Sequence, residues 1–216
     1  MHTRNEGLTQ AYITSTFVRE PAWIAASRAQ GERLRPGMQV SAAEGHLLQW
    51  LVRISGAKNL LEIGTFMGTS SLWLAGGLPA EGRLTCLEFD AAHAAHAAAH
   101  IAASPHAAQV QLHEGDAHAW LAAQPAVPTF DLVFIDAEKK GYAAYLHAVL
   151  PLLHPRGWVI GDNTLLFGAL SGEHPEAASA SAKAAMAVFN ETLADAARFE
   201  SVLLPTTEGL TVARLK

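Results

Sequence analysis

Residues 61–70 read LEIGTFMGTS, a short apolar run followed by two glycines four positions apart. The run Asn59–Ile63 predicts a buried strand, and Gly64 and Gly68 permit a tight turn from it into the N-terminus of a helix. Free backbone N–H groups at such a turn can hold an anion. The dinucleotide fingerprint G-x-G-x-x-G requires glycine where this sequence has Phe66, so the turn favours a smaller anion, such as a carboxylate, over a pyrophosphate. An ordinary strand-to-helix turn is the alternative interpretation.

The chain beyond this turn alternates short apolar runs with helical stretches, which is typical of βα units around a mostly parallel sheet. The predicted strands are Asn59–Ile63, Arg83–Glu88, Val110–His113, Phe130–Ile135, Trp158–Gly161, Phe199–Leu204 and Leu210–Leu215. The predicted helices between them are Gly68–Ala75, Ala91–Ala103, Ala117–Gln124, Tyr142–Leu153 and Ala178–Ala197. Only residues 205–209 separate the last two strands. That link is too short for a parallel crossover, so these two strands are predicted to pair antiparallel.

The chain before Asn59 is predicted to be helical. Ser41 and Glu44 have the spacing of a capping box. The apolar face that follows them comprises Leu47, Leu48, Leu51 and Ile54. A length of 216 residues suits one large domain. We therefore predict a single domain, with residues 1–57 as a helical cover and residues 58–216 as an α/β core.

Composition argues against several classes of protein. Half of the residues are hydrophobic and only 16% are charged, so the chain is too apolar for a disordered protein. The formal net charge is -5 and no basic run is present, which argues against a nucleic-acid partner. The single cysteine, Cys86, cannot form an internal disulfide, and the first ten residues lack the apolar core of a signal peptide, so a cytoplasmic protein is expected. No apolar stretch reaches the roughly 20 residues that cross a bilayer, so no membrane partner is expected.

The second and third predicted strands end in residues that suit a nucleoside. Glu88 ends the second strand 24 residues after Gly64, near the spacing at which a carboxylate reaches ribose hydroxyls. Gly115 lies two residues before Ala117, and a glycine turn there could admit an adenine edge. Asp90 is predicted to cap the next helix instead. Together these signals suggest a nucleoside ligand at the carboxyl ends of the strands.

Oxygen ligands follow the fourth and fifth predicted strands. Asp136 comes directly after Phe130–Ile135, and Asp162 and Asn163 follow the fifth strand. If these strands are neighbours, about 4.8 Å apart, the three side chains converge. Two carboxylates and an amide suit magnesium, manganese or calcium rather than zinc, and Lys139 lies beside them. Each acid taken alone could instead cap a helix or a turn.

Three histidines offer a competing metal site. His93, His96 and His100 fall on one face of the alanine-rich helix. No carboxylate or cysteine completes a zinc-binding set there, so we interpret them as a solvated helix face.

Several of these motifs occur in an order that resembles the small, cation-dependent S-adenosylmethionine O-methyltransferases, the group that contains catechol and caffeoyl-CoA O-methyltransferases. The matching segments are residues 38–41, 61–65, 135–139, 161–165 and 208–211. The resemblance implies a Rossmann-like, seven-stranded, mostly parallel sheet with a reversed last strand and helices on both faces. It also implies a homodimer and a small aromatic acceptor with vicinal hydroxyls. A phenolate of that acceptor would displace the sulfonium methyl with the help of a divalent cation, Mg²⁺ in first place.

The resemblance further implies roles in cofactor binding. The residues that would hold the methionine part of S-adenosylmethionine are Glu62, Gly64, Thr65 and Ser70. Val40 would pack near it, Glu88 would bind the ribose hydroxyls, and Ala117 would border the adenine.

Catalytic and acceptor residues follow in the same way. The residues that would hold the cation are Asp136, Asp162 and Asn163. Asp136 would also face the cofactor and take part in catalysis, and Lys139 would be the base. Candidate aromatic walls for the acceptor are Phe167, Trp23 and Trp50. The N-terminal helices and residues 166–175 resemble no single family member closely, so the acceptor stays open.

Two other functions remain open. One is a non-catalytic module for cofactor binding or dimerisation, which would be favoured if the cation and base residues were missing, and they are all present. The other is a cation-independent methyltransferase that acts on a nitrogen or a carboxylate, for which Asp162 and Asn163 would be incidental.

Overall fold

A seven-stranded sheet organises the chain in the computed structural model, which describes residues 6–216. Its strands are β1 Asn59–Ile63, β2 Arg83–Glu88, β3 Val110–Glu114, β4 Phe130–Ile135, β5 Leu153–Asp162, β6 Phe199–Leu204 and β7 Leu210–Leu215. Their spatial order is β3-β2-β1-β4-β5-β7-β6. All neighbours pair parallel except β7, which runs antiparallel to both β5 and β6. The predicted Rossmann-like sheet with its reversed last strand is therefore confirmed.

Eight α-helices accompany the sheet over the described residues. They are α1 Glu6–Phe17, α2 Ala22–Leu34, α3 Ala42–Ser55, α4 Thr69–Ala75, α5 Ala91–Ala102, α6 Ala117–Ala122, α7 Tyr142–Val149 and α8 Ala180–Leu193. The predicted cover, residues 1–57, begins outside the described part of the chain. Its described part is helical: α1, α2 and α3 precede β1.

The boundary between α7 and β5 differs most from the prediction. The helix predicted over Tyr142–Leu153 ends at Val149 in a short 3-10 turn, and β5 begins at Leu153 rather than at Trp158. Pro155 and Gly157 are residues typical of turns, so the sequence pattern did not predict a strand over the first half of β5. The structure accommodates them where the pairing of β4 with β5 shifts register. The helix predicted over Ala178–Ala197 is also shorter, because Ser179 caps α8 and alanine propensity alone does not extend it.

Helices cover both faces of the sheet. Alternate residues of a strand point to opposite faces, so one strand contributes side chains to two separate clusters. On β4, Val133 and Ile135 join a cluster with α6, α7 and α8, whereas Leu132 and Phe134 join a cluster with α2, α3, α4 and α5. A strand that is buried on both faces reads as a continuous apolar run, which is how β4 appears in the sequence. The strand ends that carry the predicted site residues therefore lie on the rim of a sheet that is covered by helices on both faces.

The capping box is present. Ser41 Oγ accepts the backbone N–H of Glu44, and the Glu44 carboxylate accepts the backbone N–H of Ser41. The apolar face of α3 is only partly buried: Leu48 and Leu51 lie in the core, whereas Ile54 is half exposed.

The interpretation of the α5 histidines as a solvated face was wrong. Only 14% of the His93 side chain is exposed, and its ring packs edge-on against Phe66 with 4.7 Å between ring centroids. The Gln30 side chain lies within hydrogen-bond distance of both His96 Nδ1 (2.9 Å) and His100 Nε2 (2.8 Å). Helix α2 therefore half-covers this face of α5. Over residues 6–216, no group of three or more His, Cys, Asp or Glu side chains is placed to share a metal ion, and no helix has both the length and the apolar character to cross a membrane.

Candidate active site

A cavity of about 920 Å³ opens at the carboxyl ends of the parallel strands. Its wall is built from the turns after β1, β2, β3, β4 and β5, closed by residues 37–41 and by the segment before β7. Strand order reverses between β1 and β4, and the crevice outside such a reversal is where open α/β sheets bind ligands.

The turn between β1 and α4 depends on glycine. Gly64 has φ 92° and Gly68 has φ 82°, a backbone conformation that residues other than glycine rarely adopt. A Cβ atom at Gly64 would lie 1.9 Å from the backbone oxygen of Asp136, so the turn packs directly on the end of β4. This close approach brings the predicted cofactor turn and the predicted cation residues to one cavity.

Glu62 lies behind this turn rather than on the cavity wall. The side chain is fully buried, and the Glu62 carboxylate accepts hydrogen bonds from the hydroxyls of Thr65, Ser70 and Ser71. Thr65 and Ser70 line the cavity, as do Gly64 and Val40. Among the predicted cofactor residues in the described chain, Glu62 is thus the one without access to the cavity.

Glu88 lines the cavity and also ties the turn to β2. Glu88 Oε2 accepts the backbone N–H groups of Thr65 (3.0 Å) and Phe66 (2.7 Å), and Oε1 accepts that of Asp90 (2.9 Å). A carboxylate has about four lone-pair sites, so these bonds leave roughly one for a ligand hydroxyl. Ribose binding by Glu88 stays a prediction, and the carboxylate also has a structural task that the sequence did not reveal.

The turn after β3 brings an aromatic pair to the cavity. Asp116 caps α6 by accepting the backbone N–H of His118, and Ala117 lines the cavity beside it. The His118 ring stacks on Tyr145, with 4.3 Å between ring centroids and 9° between planes. Sequence reasoning missed this pair, because its two members belong to α6 and α7.

The predicted cation residues share the cavity. Ile135 pairs with Gly161, which confirms that β4 and β5 are neighbours and places Asp136 and Asp162 at adjacent strand ends. Asp162 is only 6% exposed, and its Oδ1 accepts the backbone N–H of Asn163 at 2.7 Å. Burial and the nearby charge of Asp136 raise the pKa of Asp162 well above the usual range of a carboxyl group.

This donor set fits a hard divalent cation. Asp136, Asp162 and Asn163 offer oxygen atoms only. Two carboxylates close together in a poorly solvated place repel each other when both are ionised, and a dication would remove that penalty. The third donor is the side-chain amide of Asn163, whose backbone adopts a left-handed conformation with φ 53°.

Lys139 is fixed beside Asp136 by a buried tyrosine. Lys139 Nζ donates to Asp136 Oδ1 (2.8 Å) and to the hydroxyl of Tyr142 (2.9 Å). That hydroxyl lies 3.0 Å from the backbone oxygen of Ile135 and 2.8 Å from that of Asp162, so it connects Lys139 to the ends of β4 and β5. Tyr142 is fully buried, and burial raises the pKa of its hydroxyl well above the usual range, so it stays neutral. The sequence shows that Tyr142 follows Lys139 by three residues, but it does not reveal the hydrogen bond between their side chains.

The three candidate aromatic walls have different positions. Phe167 lines the cavity and is 43% exposed. Trp23 packs against the core on the α2 side, and Trp50 is 53% exposed on α3; neither lines the cavity. Of the three aromatic residues predicted for the acceptor wall, Phe167 is therefore the one that lines the cavity.

Comparisons with known proteins agree on one family. The family model described as "O-methyltransferase" matches residues 19–216. The chain is 35% identical over 202 residues to catechol O-methyltransferase of Niastella koreensis, with 91% of each protein covered. Among solved structures, it is similar to the O-methyltransferase TomG from Streptomyces achromogenes, involved in tomaymycin synthesis and solved with SAM (33% identity, TM-score 0.86, 100% of both chains). It is also similar to an O-methyltransferase from Bacillus cereus solved with SAH (28% identity, TM-score 0.85, 97% of both chains).

Proposed function

The chain belongs to the S-adenosylmethionine-dependent O-methyltransferase family, and from that premise we propose that it methylates one hydroxyl of a small aromatic acceptor that carries two adjacent hydroxyls, with the help of a divalent cation. The observation that carries this proposal is the meeting of Asp136, Asp162, Asn163 and Lys139 with the β1–α4 turn in one cavity. A homodimer in the cytoplasm stays the accompanying expectation.

The cavity has the features that the cofactor requires. Thr65 and Ser70 present hydroxyls at the turn, Glu88 offers an acceptor at the end of β2, and Ala117 leaves room beside α6. These residues would hold the methionine part, the ribose and the adenine in that order. When bound, S-adenosylmethionine supplies an electrophilic methyl group, and the cation supplies Lewis-acid stabilisation of the acceptor oxygen.

The protein's own contribution is to orient the acceptor and to take its proton. A free phenol has a pKa of about 10 and is a weak nucleophile at neutral pH. Lys139 Nζ takes the hydroxyl proton, for which the lysine must first be neutral. The Tyr142 hydroxyl keeps Nζ in place in either state, because a neutral amine still carries N–H donors. Asp136, Asp162 and Asn163 would hold the cation, and the bound cation would help to align the acceptor hydroxyl for methyl transfer.

The charge on the cavity wall limits which classes of acceptor the cavity favours. Seven carboxylates line the cavity: Glu44, Glu88, Asp116, Asp136, Glu138, Asp162 and Glu208. Among the described residues, Lys139 is the one lysine or arginine on this wall. Burial and the charge of Glu44 raise the pKa of Glu208. Such a wall disfavours a coenzyme A thioester, whose phosphates call for basic residues, and favours a small catechol.

We therefore expect acceptor charge to affect turnover. For 3,4-dihydroxyphenyl compounds that carry an ethylamine, a hydroxyethyl or an acetate side chain, kcat/KM should fall in that order, by about 10-fold or more between the amine and the acid. Glu208→Gln should shrink this range, since glutamine keeps an acceptor for the backbone hydrogen bond from Phe167 and removes the charge. Glu173→Gln, an exposed position off the cavity wall, is the matched control. An acid accepted as well as the amine would contradict the inferred role of Glu44 and Glu208.

The test of the proposed function is the number of hydroxyls on the acceptor. A hydroxyethyl catechol should exceed the matching hydroxyethyl phenol by about 10²-fold in kcat/KM at saturating cation, because a single hydroxyl loses the chelate that aligns it and misplacement of about 1 Å can cost that much. The difference should appear in kcat as well as in KM. Equal values would favour the cation-independent methyltransferase, with Asp162 and Asn163 in a structural role.

A further inference from the structure

Two segments of the cavity wall are bonded to each other behind the predicted cation residues. One is the turn 163–167 after β5, and the other is the segment before β7 that carries Glu208. The backbone N–H of Thr164 donates to the backbone oxygen of Gly209, and that of Leu165 donates to the backbone oxygen of Glu208, both at 2.9 Å. A change in one segment therefore reaches the other.

The turn 163–167 keeps a backbone conformation that most of its residues do not favour. Asn163, Leu166 and Phe167 have positive φ angles of 53°, 55° and 56°. Asparagine tolerates this left-handed region, whereas leucine and phenylalanine rarely adopt it. Such a backbone persists only where the surrounding structure enforces it. The place of the Asn163 amide therefore depends on the contacts behind the turn.

A side chain of α8 supplies those contacts. Asn190 Nδ2 donates to the backbone oxygen of Thr164 at 2.9 Å, and Asn190 Oδ1 lies 2.9 Å from the hydroxyl of Thr211 on β7. The hydroxyls of Thr211 and Thr164 lie 2.9 Å apart, which closes the network. Thr164 is 0% exposed and Thr211 is 4% exposed, so the network is shielded from water. The three residues do not line the cavity.

The Asn190 amide has one orientation that satisfies the network. Its Oδ1 only accepts, so Thr211 donates its single proton to Asn190 and accepts that of Thr164. A rotated amide would place Oδ1 against the backbone oxygen of Thr164, and two acceptors cannot bond. The hydroxyl of Thr211 therefore directs Nδ2 of Asn190 at Thr164, the residue directly after Asn163.

We propose that Asn190 is a positioning residue that acts through Thr164: from α8 it holds the amide of Asn163 in place for the cation, without lining the cavity itself. This inference rests on the proposed function for the presence of the cation. Residues that orient the ligands of a metal ion from behind typically change its affinity by about 10–100-fold when they are replaced.

The test compares cation binding with cofactor binding in Asn190→Leu. Leucine has a similar size and offers neither a donor nor an acceptor, so both bonds of Asn190 are lost. Calorimetry with Mn²⁺ in the absence of an acceptor should show a dissociation constant raised by about 10-fold or more. The dissociation constant for S-adenosylmethionine should stay within about 2-fold of the wild-type value, because the network does not contact the β1–α4 turn.

Two further variants provide a second test and a control. Thr211→Val removes the hydroxyl that orients Asn190, so it should raise the dissociation constant for Mn²⁺ by a smaller factor, and it keeps the test available if Asn190→Leu does not fold. Leu193→Ala removes a buried side chain of α8 that belongs to the core. It should lower the temperature of unfolding and leave the affinity for Mn²⁺ unchanged.

Unchanged Mn²⁺ affinity in both Asn190→Leu and Thr211→Val would overturn the inference. So would an equal loss of affinity for Mn²⁺ and S-adenosylmethionine, or the same loss for Mn²⁺ in Leu193→Ala, since either would mean a merely structural role. A wild-type protein that binds no Mn²⁺ would overturn both this inference and the cation dependence. If the wild type bound Mn²⁺ but methylated no catechol, the proposed acceptor would fail while the role of Asn190 stood.

Discussion

We expect Lys139→Ala to lower kcat by about 10²–10⁴-fold, the typical contribution of a general base, and to leave the affinity for S-adenosylmethionine nearly unchanged. The two effects separate because Lys139 Nζ contacts Asp136 and Tyr142 and not the β1–α4 turn. Single-turnover kinetics and calorimetry on the same variant measure them independently. A normal kcat would remove Lys139 from the mechanism.

Two further variants sharpen this test. Lys140→Ala is the matched control, because Lys140 is exposed, pairs with Glu138 and does not line the cavity, so its loss should leave kcat unchanged. Tyr142→Phe removes the hydroxyl that holds Nζ, and we expect it to lower kcat by a smaller factor than Lys139→Ala. A tyrosine variant with normal kcat would mean that Asp136 alone positions the lysine.

Removal of divalent cations is the second change with a large expected effect. Exhaustive chelation should lower kcat/KM for a catechol by about 10²-fold or more, because Lewis-acid stabilisation of a developing oxyanion is worth several kcal/mol. Adding Mg²⁺, Mn²⁺ or Ca²⁺ separately should show which cation restores turnover. Zn²⁺ should be a poor substitute, since the donors are two carboxylates and an amide.

The variant Asp162→Asn tests whether the cation dependence arises at the predicted cation residues. The substitution preserves shape and removes the carboxylate that Asp162 would offer to the cation, so we expect turnover to require a higher cation concentration while the protein stays folded. Thermal unfolding verifies the fold, and Glu173→Gln again serves as the control away from the cavity. Undiminished activity after chelation would contradict cation dependence.

The sequence by itself determined the sheet and the residues on its rim. The strands β1, β2, β4, β6 and β7 match the predicted strands residue for residue. Burial imposes its pattern locally on β1, β2, β4 and β7, whereas β6 is mostly exposed and is recognised by its residue types and its short link to β7. Asp136, Asp162 and Asn163 could be grouped in advance, because the carboxyl ends of parallel strands share one edge of a sheet. The start of β5 could not, because Pro155 and Gly157 carry turn signals that only the register shift against β4 accommodates.

The tertiary structure alone decided which atom meets which. Glu62 and Glu88 contact different groups of the β1–α4 turn. Glu62 lies behind the turn and accepts hydrogen bonds from its hydroxyls, whereas Glu88 accepts hydrogen bonds from its backbone N–H groups. Tyr142 supports Lys139, and the charge of Glu44 acts on Glu208 although more than 160 residues of chain separate them. Hydrogen-bond partners and like-charge neighbours of this kind depend on how separate elements pack and which rotamers that packing allows. No local pattern of residues records that information.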